Sequence, residues 1–135
     1  MNHILTISAL GILLILAVCL ERETQFVIKQ VYSVDSVQVL QQDEKKAVLS
    51  VSATVPTPCY TFAHFEQKRR GDTIEVTIYA KTDPEINCIQ VLGKITCEIS
   101  VDLKKAKTSQ ILFRGLSDDY ALQLKAENGN QKDKK

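Results

Sequence analysis

The chain has 135 residues, of which 24% are charged, and a formal net charge of +1. This length holds one ordinary domain once a leader is removed, and a second domain does not fit. The near-neutral charge argues against a nucleic-acid partner, because binding to nucleic acid normally requires a strong basic excess on one face.

An uncharged run rich in leucine and isoleucine extends from Ile4 to Leu20. Only Thr6, Ser8 and Gly11 interrupt its apolar residues, so it lacks the polar face of a soluble core helix. The run is short for a membrane span and suits the hydrophobic region of a signal peptide, although no positive side chain precedes it. We therefore predict an exported protein with residues 1–19 as its signal peptide, and an uncleaved membrane anchor is the alternative.

The end of this run allows two cleavage sites. Leu16-Ala17-Val18-Cys19 resembles the lipobox of bacterial lipoproteins, in which the cysteine takes a lipid and becomes the new amino terminus. Val18 departs from that pattern, which has Gly, Ala or Ser at this position. Alternatively, Ala17 and Cys19 supply the small residues of an A-x-A-like site. The first predicts a lipoprotein tethered in the periplasm or at the cell surface, and the second predicts a secreted protein.

After the leader, apolar and polar residues alternate in short segments bounded by turn residues, which is typical of β-strands. The alternation is clearest between residues 46 and 55, and no long segment shows helical periodicity. Strands are predicted at residues 26–32, 34–40, 46–55, 59–67, 73–81, 88–92, 95–103, 109–114 and 119–126.

Seven to nine short strands with one apolar face predict an all-β domain. The predicted architecture is a two-sheet immunoglobulin-like sandwich, with a small β-barrel as the alternative. We place this single domain at residues 20–126. Residues 127–135 mix lysines with acids and amides, which predicts a disordered polar tail.

Export leaves Cys59, Cys88 and Cys97 for an oxidising compartment, and one cysteine of an odd number stays unpaired. Cys97 shares a predicted strand face with Ile95 and Ile99, which predicts a buried free thiol. Cys59 and Cys88 each follow turn residues where strand ends can approach. We therefore predict a disulfide between Cys59 and Cys88.

Several short motifs then follow one another between residues 55 and 115. They are Pro58-Cys59-Tyr60, Gly71-Asp72-Thr73-Ile74-Glu75-Val76, Cys88-Ile89-Gln90-Val91-Leu92 and a closing Gly115. This order resembles a widespread group of small exported bacterial domains, in which P-x-C, a G-N-T-like hairpin, C-x-Q-x-L and a terminal N-G turn recur. Here Arg114 replaces the Asn of the terminal turn. The resemblance implies an all-β sandwich with Cys59 bridged to Cys88, and it implies little about activity because the group is largely uncharacterised.

Catalysis and metal binding have little support in the sequence. His64 is the one histidine left after export, and it shares a predicted strand face with Phe62 and Glu66 instead of a set of catalytic partners. The tripeptide Arg70-Gly71-Asp72 matches the integrin motif, but glycine and aspartate are ordinary residues of a tight turn. We predict a protein that is not an enzyme, with no catalytic or metal-binding residue and no cofactor.

Loops on a rigid sandwich often carry its function. The predicted partner loops contain Pro56, Thr57, Pro58, Asp83, Pro84 and Glu85. The sequence therefore favours a cell-envelope binding module for an unknown protein partner, with membrane contact only through a lipid or an uncleaved signal. A small secreted proteinase inhibitor is the alternative, and an enzyme that depends on His64 is the third hypothesis.

Overall fold

The computed structural model describes residues 23–103 and 107–125. The predicted signal peptide, Cys19 and the predicted tail lie outside these residues. The strands within the described part are β1 (Val27–Gln30), β2 (Ser33–Gln42), β3 (Lys46–Val55), β4 (Thr61–Arg70), β5 (Thr73–Thr82), β6 (Gly93–Asp102), β7 (Gln110–Arg114) and β8 (Tyr120–Gln123).

The strands form two sheets. One contains β2, β3 and β6 in that order, and the other contains β4, β5, β7, β8 and β1. Because β4 occupies one edge of β5 along its length, β1 and β7 share the other edge. β1 pairs antiparallel with residues 79–82 of β5, and β7 pairs parallel with residues 73–77.

The chain crosses from one sheet to the other between β1 and β2. At the crossing, the Val31 N–H donates to the Ile78 carbonyl oxygen over 3.0 Å, and the Tyr32 N–H donates to the Thr54 carbonyl oxygen over 2.9 Å. The carbonyl oxygens of Val31 and Tyr32 accept the N–H groups of Leu116 and Ser117. This short segment therefore joins both sheets to the loop between β7 and β8.

The core lies between the two sheets. Alternate residues of β3, β5 and β6 point inward, as their period of two requires. The buried apolar residues of these strands and β7 are Ala47, Leu49, Val51, Ala53, Val55, Ile74, Val76, Ile78, Ala80, Ile95, Cys97, Ile99, Val101, Ile111 and Phe113. The predicted two-sheet sandwich is thereby confirmed, and the described strands do not close into a barrel.

Two predictions about the strands are wrong. Residues 88–92 form an exposed loop instead of a strand, because their apolar side chains face solvent and no neighbouring strand pairs with them. A bulge in β4 separates Phe62 from His64. Phe62 therefore packs against the core while His64 is exposed on the outer face, so the two do not share the predicted strand face.

Candidate binding surface at the bridged end of the sandwich

The loop from β3 to β4 and the loop from β5 to β6 lie at the same end of the sandwich. Val55 at the end of β3 pairs with Gly93 at the start of β6, and Thr61 at the start of β4 pairs with Lys81 near the end of β5. A disulfide joins them through Cys59 and Cys88, whose Cα atoms are 6.1 Å apart. The predicted pairing is confirmed. We call residues 56–60 and 83–92 the bridged loops.

The longer bridged loop begins with a turn that its own side chains stabilise. The Asp83 carboxylate accepts the Glu85 N–H over 2.9 Å, and the Asp83 carbonyl oxygen accepts the Ile86 N–H over 3.3 Å. Pro84 lies between them and restricts the backbone further. The Thr82 hydroxyl also donates to the Cys59 carbonyl oxygen over 3.4 Å. The disulfide and these local bonds together hold the loop near one conformation.

Beyond this turn, the loop exposes apolar side chains. Ile86, Ile89, Val91 and Leu92 are between 53% and 68% exposed, and none belongs to the core. Single exposed apolar residues are common on protein surfaces, but a group of them usually marks an interaction site. Four large apolar residues within one disulfide-linked loop therefore make a candidate binding surface.

The shorter bridged loop is packed closely against the start of β6. Thr57 is 9% exposed, and its carbonyl oxygen accepts the Tyr60 N–H over 3.3 Å. A Cβ atom at Gly93 would lie 2.6 Å from the Cα of Pro58, which explains why glycine occupies that position. This loop supports its neighbour and presents Pro58 to solvent, while Pro56 is half-buried.

The structure brings the predicted partner loops together at one end of the molecule. Pro58, Pro84 and Glu85 are exposed there, Asp83 is half-exposed, and Thr57 is covered. Sequence reasoning missed the apolar members of the surface because their alternation suggested a strand. The sequence feature that could have revealed them is a cluster of large apolar residues directly after a proline turn and beside a disulfide-bonded cysteine.

A second cluster surrounds His64 on the outer face of the sheet. Its ring stacks on the Tyr79 ring at a centroid distance of 4.7 Å, and the Tyr79 hydroxyl donates to the Glu66 carboxylate over 3.4 Å. Partial removal from water raises the pKa of the Tyr79 hydroxyl, and the charge of Glu66 raises it further. These are cross-strand contacts of the kind that stabilise sheets, and they lie beside the bulge in β4.

The Arg70-Gly71-Asp72 tripeptide forms the hairpin between β4 and β5. Gly71 has φ of 62°, which glycine adopts without strain. Asp72 is bound from two sides by Ser109, whose hydroxyl donates to the carboxylate over 2.6 Å and whose N–H donates to the carbonyl oxygen over 2.9 Å. The aspartate therefore fastens the hairpin to the segment before β7.

Low pH should weaken the hydrogen bond between the Ser109 hydroxyl and the Asp72 carboxylate. The hydrogen bond from Ser109 lowers the pKa of the Asp72 carboxyl below its ordinary value of about 4. A carboxyl whose pKa is lower in the folded state stabilises the fold above its unfolded pKa, and this stabilisation is lost as the pH falls through the folded pKa. We expect Asp72→Asn to reduce the loss of stability between pH 6 and pH 3, as measured by urea unfolding. Ser109→Ala should have the same effect, and an unchanged pH dependence in both variants would contradict the assignment.

Cys97 lies on β6 with its thiol free and buried. Burial raises the pKa of the Cys97 thiol, which lowers the fraction of reactive thiolate at neutral pH. We expect iodoacetamide to leave this cysteine unmodified in the folded protein and to modify it fully in urea, as measured by mass spectrometry of the peptide containing it. Rapid modification without denaturant would show that the side chain is accessible.

Comparison with known proteins places the fold in one family. Residues 49–132 match the family model of the ORF11 beta-sandwich domain, which is well over half of the chain and includes both bridged loops. No curated protein and no solved structure matches.

Within residues 23–103 and 107–125, no group of His, Cys, Asp and Glu side chains is arranged to hold a metal ion. The same residues contain no helix with the length and apolar character needed to cross a membrane.

Proposed function

The chain belongs to the ORF11 beta-sandwich domain family, and on this scaffold we propose a non-catalytic binding module of the cell envelope. Its partner is a protein, and its binding surface consists of the bridged loops. The observation that carries the proposal is the exposure of Ile86, Ile89, Val91 and Leu92 on a loop that a disulfide fixes.

Binding at such a loop is favourable for two reasons. Contact with a partner removes the apolar side chains from water, which is the dominant favourable term in most protein association. The disulfide and the Asp83 turn restrict the loop before it binds, so less conformational entropy is lost on association.

The charges beside the apolar residues indicate the chemistry of the partner. Two acidic residues, Asp83 and Glu85, stand at the start of the loop. An anionic membrane surface would repel them. A protein groove with an apolar floor and a basic rim complements both the apolar residues and the acids.

The envelope location rests on the cysteines and the leader. A structural disulfide forms and persists in oxidising compartments, which lie outside the cytosol in most organisms. The uncharged run before Leu20 supplies a route of export. In this proposal the domain is either tethered through a lipidated Cys19 or released after cleavage.

Site-specific crosslinking tests the binding surface. A photoreactive amino acid at Ile89 should crosslink one defined protein in envelope fractions of the producing cell, identified by mass spectrometry. The matched control is Leu116, which is 59% exposed and lies on the loop between β7 and β8. Ile89→Ser combined with Leu92→Ser should abolish capture by the purified partner, whereas Leu116→Ser should preserve it. Equal crosslinking from both positions would contradict the proposal.

The same loop supports a second candidate function, inhibition of a secreted proteinase. An exposed segment with its backbone held by a disulfide has the form needed to occupy a protease cleft without large loss of entropy. Inhibition of a panel of secreted proteinases, lost in Ile89→Asp and retained in Leu116→Asp, would favour this candidate. Absence of inhibition together with capture of a non-proteolytic partner would favour the binding module.

A further inference from the structure

The strands at the edges of the two sheets differ in how they are protected from pairing. β1 and β8 have only four residues each, and the pairing of β2 is interrupted by two register shifts. β4 contains one such shift. β6 pairs with β3 over ten residues without any shift, and among the described strands it pairs with no other. A long, regular edge strand is a template for a further strand, so β6 is the edge most open to pairing.

Hydrogen bonds at one end of β6 show which of its residues face the open side. The Asp102 N–H donates to the Gln67 side-chain oxygen over 3.0 Å, and the Gln67 side-chain nitrogen donates to the Asp102 carbonyl oxygen over 2.8 Å. Gln67 belongs to β4, so these groups point away from β3. Because backbone direction alternates along a strand, the N–H and C=O groups of Lys94, Thr96 and Glu98 point to the same open side.

The Gln67 side chain also limits where a further strand can bind. Its amide occupies the backbone groups of Asp102 in the way that a neighbouring strand would. Arg69 covers the next residue, since it donates to the Leu103 carbonyl oxygen over 2.6 Å and to the Thr108 hydroxyl over 2.9 Å. The end of β6 near Asp102 is therefore occupied by β4, and the half that begins at Gly93 is open.

We propose that this open half of β6 pairs antiparallel with β6 of a second copy of the chain, with Thr96 facing Thr96 of the other copy. The paired segment then extends from Gly93 to Ile99 and leaves the contact between Gln67 and Asp102 intact. Two three-stranded sheets become one continuous sheet of six strands. This interface is separate from the bridged loops, so the proposed function does not depend on it.

Charge complementarity selects this register. With Thr96 at the centre, Lys94 of each copy faces Glu98 of the other, which gives two opposite-charge pairs on the exposed face of the sheet. A centre at Glu98 would pair Lys94 with Asp102, but it would also place two carboxylates opposite each other and would displace the Gln67 amide from the Asp102 backbone. A centre at Cys97 would pair Lys94 with Ser100 and leave no opposite-charge pair.

Lys94 remains accessible for this pairing. Its ammonium group lies 3.4 Å from the Asp35 carboxylate of its own chain, but 71% of its side chain is exposed. An exposed ion pair of this kind contributes little stability and can rearrange. Lysine on an edge strand also discourages uncontrolled pairing, and here it favours the register that places a carboxylate opposite it without displacing Gln67.

A charge-reversal cycle tests the proposal on the mature protein. Sedimentation velocity over increasing concentration should show a monomer–dimer equilibrium. Lys94→Glu and Glu98→Lys each place like charges opposite each other twice, so each should raise the dimer Kd about tenfold. The double variant restores both pairs with their signs exchanged, and its Kd should return to near the wild-type value. Lys68→Glu, on the outer face of the other sheet, should leave the Kd unchanged.

Crosslinking supplies a second readout that does not depend on charge. The Cα atoms of facing residues in this kind of pair are about 5.5 Å apart, a distance at which cysteines form a disulfide. Thr96→Cys should therefore form a covalent dimer on mild oxidation. Ser52→Cys, directly beside it on β3, should remain monomeric. A wild-type protein that stays monomeric at about 1 mM, or a double variant that dimerises as weakly as the single variants, would overturn the proposal.

Discussion

Replacement of both Cys59 and Cys88 by alanine is expected to lower the free energy of unfolding by about 3–4 kcal/mol. The bridge joins residues 29 positions apart, and its removal gives the unfolded chain the conformational freedom that the crosslink takes away. For a domain of this size the melting temperature should fall by roughly 10 °C or more. Urea unfolding and calorimetry measure the two quantities.

Cys97→Ala is the matched control for this change. Cys97 forms no disulfide, and its replacement removes one sulfur atom from the core, which should cost about 1 kcal/mol. Equal destabilisation by Cys97→Ala and by the double replacement would contradict the structural role assigned to the bridge. Loss of the bridge should also reduce partner capture through Ile89, since the exposed loop is then no longer restricted.

Phe113→Ala is expected to cost about 3–5 kcal/mol, a large part of the stability of an ordinary domain. Phe113 is completely buried between the sheets, and its ring packs edge-to-face against the Tyr120 ring at a centroid distance of 6.3 Å. The replacement leaves a cavity and removes this aromatic contact. The change in the midpoint of urea unfolding measures the cost.

Leu112→Ala controls for the loss of an apolar side chain from the same strand. Leu112 is the neighbour of Phe113, points to the outer face and is half-buried. Its replacement should cost about 1 kcal/mol or less. If both variants unfold at the same urea concentration, the assignment of the two faces of β7 is wrong.

The central strands were predictable because their environment is simple. Residues 46–55 alternate between core and solvent along the whole strand, and the structure gives β3 the same bounds. β5 and β6 show the same alternation and differ from the predicted ranges by one or two residues at their ends. A strand with one buried face has an apolar residue at every second position, so these strands can be recognised from the sequence.

Other features were not predictable because they depend on pairing partners distant in the sequence. The parallel pairing of β5 with β7 joins residues far apart in the sequence, and no local pattern of residues indicates it. The bulge that separates Phe62 from His64 changes which face each side chain occupies without changing the composition of the strand. Residues 88–92 contain strand-forming apolar residues, yet no neighbouring strand accepts them.

The candidate site was predictable in its position and not in its chemistry. The cysteines and prolines indicated which loops approach each other, because both residue types constrain backbone geometry locally. The apolar character of the surface was concealed, since Ile89 and Val91 follow the same alternation as a buried strand. Only the position of the loop outside both sheets shows that these side chains face solvent.

The dimer inferred from β6 would change the strength of binding at the bridged loops. β6 begins directly after the longer loop, so each copy in the dimer presents its own loop. When one loop binds to a surface that carries many partner molecules, the effective concentration of partner molecules near the other loop rises. If both proposals hold, binding to an immobilised partner should weaken in Lys94→Glu even though the loop itself is unchanged.

The crossing at Val31 and Tyr32 has a consequence for how the chain folds as it is made. These residues leave the ribosome before their hydrogen-bond partners, which include Ile78, Leu116 and Ser117. Until that last segment emerges, one edge of β5 has only part of its neighbours and the core is open on that side. Folding of the sandwich must therefore wait until the segment after β7 has been made, and the incomplete domain is exposed to aggregation during that interval.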